Sequence, residues 1–232
     1  MSSMEQYEAA EIMSVEERGR FITRTYLHLA GAVGAFVALE ALLLSIPGIE
    51  NLAQLMCSGK SAWLIVLGAF MFVSWIAEKW AFSAASLVTQ YLGLALYVAA
   101  EAVIFVPLLF IAKTFHPDVI PQAATATIAL FCFLTVAVMV TRLDFSFLRT
   151  GLVFAGLAAL GFIVASIVFG FTLGPIFTYL MIAFACLYIL YDTSNVLLHF
   201  RTDQHVGAAL ALFASVALLF WYILQLYLDR EG

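Results

Sequence analysis

Three observations predict an all-α integral membrane protein with seven transmembrane helices. Apolar residues fill 65% of the 232 positions and charged residues only 11%, against about 45–50% and about 25% in a soluble domain. Apolar stretches near the ~20 residues that cross a hydrocarbon core recur seven times. The connections between them are short, so no separate soluble domain is expected.

In chain order, the first twenty residues are polar and hold five acids, Glu5, Glu8, Glu11, Glu16 and Glu17. They read as an acidic cytoplasmic tail, 1–20, ahead of a transmembrane domain over 21–232. No short basic region with a small-residue cleavage site precedes the first apolar run, so that run is expected to be an uncleaved helix. The spans fall at 21–46, 61–77, 87–112, 121–140, 151–171, 175–199 and 206–228. Pro47, Pro117, Pro121 and Pro175 stand at span ends, where proline costs least. Pro107 lies inside the third span and predicts a kink. The stretch 47–60 between the first two spans, and the shorter connections after it, read as loops.

Lysine and arginine placement sets the orientation. With the amino terminus cytoplasmic, Arg18, Arg20, Arg24, Lys79, Arg142, Arg149 and Arg201 lie inside, against Lys60, Lys113 and Arg230 outside. Seven to three favours that arrangement, and an odd number of spans then puts the carboxyl terminus outside the cell membrane. Gly31, Gly34, Gly151, Ala155, Gly156, Ala159 and Gly161 are read as close helix packing. The four tryptophans tend toward span ends, as an interfacial belt would. Cys57, Cys132 and Cys186 have no metal-like spacing. A net charge of −5 without a basic cluster argues against nucleic acid as a partner. No nucleophile elbow, zinc-protease motif or phosphate loop is present, so neither enzymatic activity nor a cofactor is expected.

Three acids fall inside spans, Glu40 in the first, Glu101 in the third and Asp192 in the sixth, and the only lysine or arginine inside a span is Arg24, close to the start of the first. An interior of that kind suits protons or cations and not anions. On the helix of Asp192, one face collects Thr178, Met181, Ala185, Tyr188, Asn195 and His199. At ~1.5 Å per residue, Asp192, Glu101 and Glu40 lie ~10, ~20 and ~27 Å from the cytoplasmic face, a spaced acidic ladder. The competing reading of each is a protonated carboxyl bonded to a neighbouring helix. Glu78 and Lys79 read as an interfacial pair, either of which could turn inward toward Asp192, and His28 and His199 as groups near the cytoplasmic face that titrate near neutral pH.

The TRLDFSFL turn after the fourth span, the spacing of Ala123, Thr127 and Phe131, the ILYDTSNVL run and AALALFASVALLF in the seventh span resemble the Bax inhibitor-1 family of transmembrane proteins, bacterial branch. The resemblance covers about 21–228, with Tyr191-Asp192-Thr193 and Asp144-Phe145-Ser146 its most specific parts. It implies six helices packed around a central seventh. It also implies a pH-sensitive calcium leak or, in another branch, restraint of a membrane-bound AAA protease. By the same resemblance Asp192 matches the sixth-helix member of a carboxylate pair that shares a proton at the pore. The position of the second aspartate is Ser215 here, the asparagine three residues later is Leu218, and the pairing base of the second helix has only Lys79 as a loose counterpart. An aspartate facing serine lacks the repulsion of two adjacent carboxylates. Ser215 still lies ~13 Å into its span, level with Asp192.

The expected function is therefore a pH-sensitive calcium or cation leak with Asp192 at the constriction. Ser215, Tyr188 and Asn195 stand beside it, Glu101 and Glu40 lie along the path, and calcium is the permeating ion. The alternative is a regulatory partner in the bilayer whose acidic tail engages a membrane-bound AAA protease.

Overall fold

The computed structural model of the chain describes residues 3–84 and 86–231, and side chains from residue 14 onward. The side chains of Glu5, Glu8 and Glu11, part of the acidic tail, lie outside the described residues. Among those described the chain forms eight helices: α1 (Ser3–Leu43), α2 (Ile49–Met56), α3 (Lys60–Ala81), α4 (Leu87–Phe115), α5 (Val119–Thr141), α6 (Leu148–Phe169), α7 (Gly174–Leu198) and α8 (His205–Glu231). All but α2 are long and apolar enough to cross a bilayer. The chain is thus an all-α, multi-pass membrane protein. Its polar ends alternate between two faces, here called the basic end (start of α1, end of α7) and the opposite end.

The sequence predicts a loop over 47–60, but the chain forms α2 there. Gly48 turns the chain with φ 88, a left-handed conformation that glycine adopts without steric cost. Ile49, Ala53 and Met56 then fall on one helical face and are buried. Ile49 and Ala53 pack with Val106, Leu43 and Phe110 at the opposite end. A helix of 8 residues is too short to span and too short for a periodicity window to recognise. α4 continues through Pro107, which is buried in its interior.

α8 is the central helix. It packs against α1, α3, α4, α5 and α7, and its Val206, Ala208, Ala209, Leu212, Leu219 and Leu224 are fully buried. A helix apolar all round has no face to show water, so it can sit at the middle of the bundle. α6 is the most loosely held member of the ring. It packs on α7 and α3, and Leu152 is its one fully buried residue.

Close helix approach occurs at Gly156, where a Cβ would lie 3.3 Å from the Phe184 ring, and more tightly at two glycines the sequence did not single out. A Cβ on Gly93 of α4 would lie 2.5 Å from both the Ala77 carbonyl oxygen and the Ala81 amide nitrogen of α3. A Cβ on Gly207 would lie 2.6 Å from the Phe82 ring. By contrast, a Cβ on Gly31, Gly34, Gly151 or Gly161 would meet nothing within 4 Å, and these positions are exposed on the bundle surface. In a bilayer a small residue is acceptable on a lipid-facing surface as well as at a helix crossing, so composition alone does not assign the face.

Basic side chains tie helix ends together. Arg18 of α1 donates from Nε to the Leu197 carbonyl at 2.9 Å and from a terminal nitrogen to the Phe200 carbonyl, capping α7. Lys60 donates to the Val168 carbonyl at the end of α6, and Lys113 to the Leu44 carbonyl just past α1. A cation at a helix carboxyl terminus satisfies orphan carbonyls and opposes the negative end of the dipole.

Candidate functional site

The polar stripe on α7 is buried over most of its length, while Tyr188 is half-buried and His199, just past the helix end, is exposed. Thr178, Met181, Ala185, Asp192 and Asn195 are all buried. Asp192 meets α8, where the Ser215 hydroxyl donates to Asp192 Oδ2 at 2.5 Å. The two residues are 6% and 4% exposed, so this charge-capable contact is removed from both lipid and water. Equal depth in adjacent spans brings together residues 23 positions apart in sequence.

Above this contact lies a cavity of about 1110 Å³, bounded by α3, α4, α6, α7 and α8. It runs from Ser215, Tyr188 and Glu78 at its inner limit to Pro175 and Asp229 at the opposite end. From Ser215 to Asp229 that is ~21 Å of helix. Its walls carry the acids Glu78, Glu101 and Asp229 and, among the described residues, no lysine, arginine or histidine. Tyr97, one turn before Glu101 on α4, lines the same cavity. Beyond Asp192 toward the basic end, Val196 and Val206 are fully buried and Arg18 caps α7, so the cavity is closed on that side.

Of the residues singled out in the sequence, Asp192 and Ser215 touch, and Tyr188 and Glu101 line the cavity with Ser215. Asn195 is buried one turn past Asp192 and does not line it. Glu40 stands apart near the end of α1, buried, with neither carboxylate oxygen hydrogen-bonded. The acidic ladder therefore does not continue along the cavity to Glu40. Glu78 lines the cavity while remaining exposed near the end of α3, and Lys79 points to Trp75, its Nζ 3.7 Å from the ring centroid. Trp63, Phe70, Met71 and Glu78 share one helical face, a spacing that signals the place of Glu78 on the cavity wall. Among the described residues no three His, Cys, Asp or Glu side chains converge as metal ligands would.

At the basic end the two most distinctive stretches of the sequence meet. Arg142 ends α5 with φ 51, and the turn that follows brings Asp144 to the end of α7. Asp144 Oδ1 accepts from the Ser146 amide at 2.8 Å, and both its oxygens lie 3.1 Å from His199 Nε2. The Phe145 amide donates to Ser194 Oγ at 2.9 Å. The family model described as inhibitor of apoptosis-promoting Bax1 matches residues 18–232. The chain belongs to the Bax inhibitor-1 family. No curated protein matches it. In this member of the Bax inhibitor-1 family, the Asp144 turn anchors the α5–α6 connection beneath the Asp192 segment.

The Ser146 amide first, and then His199, hold Asp144 at about 2, below the ordinary 3.8. A carboxyl lowered in the folded state adds stability above its ordinary value and loses it as pH falls through the folded one. Parent protein is therefore expected to melt higher than Asp144→Asn at pH 5–7, with the gap closing from about pH 4 to about 2. Melting in detergent across that range checks it. A gap independent of pH would mean that the turn is held by Ser194 and not by the carboxylate.

Proposed function

We propose that this Bax inhibitor-1 family protein is a cation leak whose closed gate is the Asp192–Ser215 contact. The observation that carries the reading is the cavity itself, walled by carboxylates without a base and ending against a buried aspartate that accepts from serine. Its acids draw cations and repel anions. The lone carboxyl of the contact can hold or release a proton, which makes the gate responsive to pH. With the amino terminus cytoplasmic, as the basic asymmetry favours, the cavity is an outer vestibule and the gate lies toward the cytoplasm. Calcium is the ion the family resemblance suggests.

Ser215 in place of a second carboxylate supports a second reading, restraint of a membrane-bound AAA protease. α1 also favours it: 41 residues of helix extend ~60 Å, well beyond the ~30 Å hydrocarbon core. Purified protein in liposomes, assayed for calcium flux from pH 5 to 8, separates the two. The leak reading expects flux that changes with pH. No flux at any pH overturns it and leaves the regulatory reading.

A further inference from the structure

The cavity has walls that a path for small hydrated ions does not require. Trp63 and Trp221 stack with ring centroids 6.4 Å apart and planes at 25°, and Phe105 meets Trp221 edge to face at 4.9 Å. The sequence reads the tryptophans as tending toward span ends, and these two also line the cavity. Glu101, 6% exposed, projects into the same space. Among the described residues no basic side chain lines the cavity to balance its charge. Ligand cavities typically measure about 300–1,000 Å³ and combine apolar walls with a few placed polar groups. This cavity is of that kind, with one sign of charge.

We propose that the cavity binds amphipathic organic cations, an apolar body against Trp63, Trp221 and Phe105 and a cationic centre at Glu101 and Glu78. Aromatic faces attract a desolvated cation, and the buried carboxylate provides its counter-charge. Access runs from the bilayer past α6, which has a single fully buried residue. The occupant is a free amphiphile and not a bilayer lipid. Glu101 is the midpoint of α4, 14 residues from either end, so it lies ~21 Å from each surface, out of reach of a lipid headgroup. The binding reading uses the leak cavity but needs no conduction.

Equilibrium dialysis of the purified, detergent-solubilised protein against radiolabelled tetraphenylphosphonium, with a detergent blank, tests the proposal. Tetraphenylborate is the control of the same shape and opposite charge. We expect saturable binding of the phosphonium, none of the borate above the blank, and a loss of about thirtyfold in affinity in Glu101→Gln, since removing one partner of a buried charge pair is costly. Size exclusion confirms that the variant is folded, and the two-ion comparison on the parent needs no variant. Equal binding of both ions, or unchanged affinity in a folded Glu101→Gln protein, overturns the proposal. Affinity in nanodiscs should be the same with and without phosphatidylethanolamine. A drop with that lipid present would make a headgroup the occupant, also overturning it. Dialysis involves no ion gradient, so failure of the leak reading leaves its result intact.

Discussion

Gly93→Ala is expected to yield protein that reaches the membrane but does not survive extraction as a folded monomer. The added methyl would sit 2.5 Å from two backbone atoms of α3, the Ala77 carbonyl oxygen and the Ala81 amide nitrogen. Neither can move aside as a side-chain tip would, so α3 and α4 must separate. Overpacking usually costs about 1–3 kcal/mol, and a backbone clash belongs at or above the top of that range. Separation would also displace Glu78 and Glu101, which lie on these two helices and face the same cavity. Gly31→Ala and Gly34→Ala are the controls, since a Cβ there meets nothing within 4 Å. Thermal unfolding followed by size exclusion reads all three. A Gly93→Ala protein as stable as the controls would show that the α3–α4 crossing is looser than its geometry indicates.

The second large effect is on pH response. Asp192→Asn keeps the shape of the side chain and still offers Ser215 an acceptor, while removing the titration. Under the leak reading, calcium flux continues but no longer depends on pH. Ser215→Asp restores a carboxylate opposite Asp192, within hydrogen-bonding distance in the parent. Two carboxylates that close share one proton and titrate as a coupled pair, so this variant should have a pH profile unlike the parent's. If Asp192 is only structural, both substitutions lower the melting temperature and any flux keeps the parental profile. Flux against pH for the three proteins, with melting in parallel, gives the decision.

Hydropathy was a good guide to the spans because length and apolarity are what the bilayer demands of them. The Asp192–Ser215 contact was also legible, since two residues at equal depth in adjacent spans need only a helix rise to be matched. Helix faces were harder. In water the apolar stripe marks the core, but in lipid both inward and outward faces are apolar. Gly31 and Gly93 therefore look alike in sequence and play different parts. The same ambiguity hid the places of Trp63 and Trp221 on the cavity wall. Glu40 was joined to the others by depth, and depth says nothing of azimuth around the bundle.

α6 has the highest mean hydropathy of the seven spans, 2.6, and the smallest buried share, 6%. Few protein contacts hold it, so its tilt and distance from α8 follow the thickness and lateral pressure of the surrounding bilayer. A stretched, thin or sterol-stiffened membrane would tip this one wall while the α3–α4–α8 core stays fixed. The space in front of Glu101 is in that sense bounded partly by lipid.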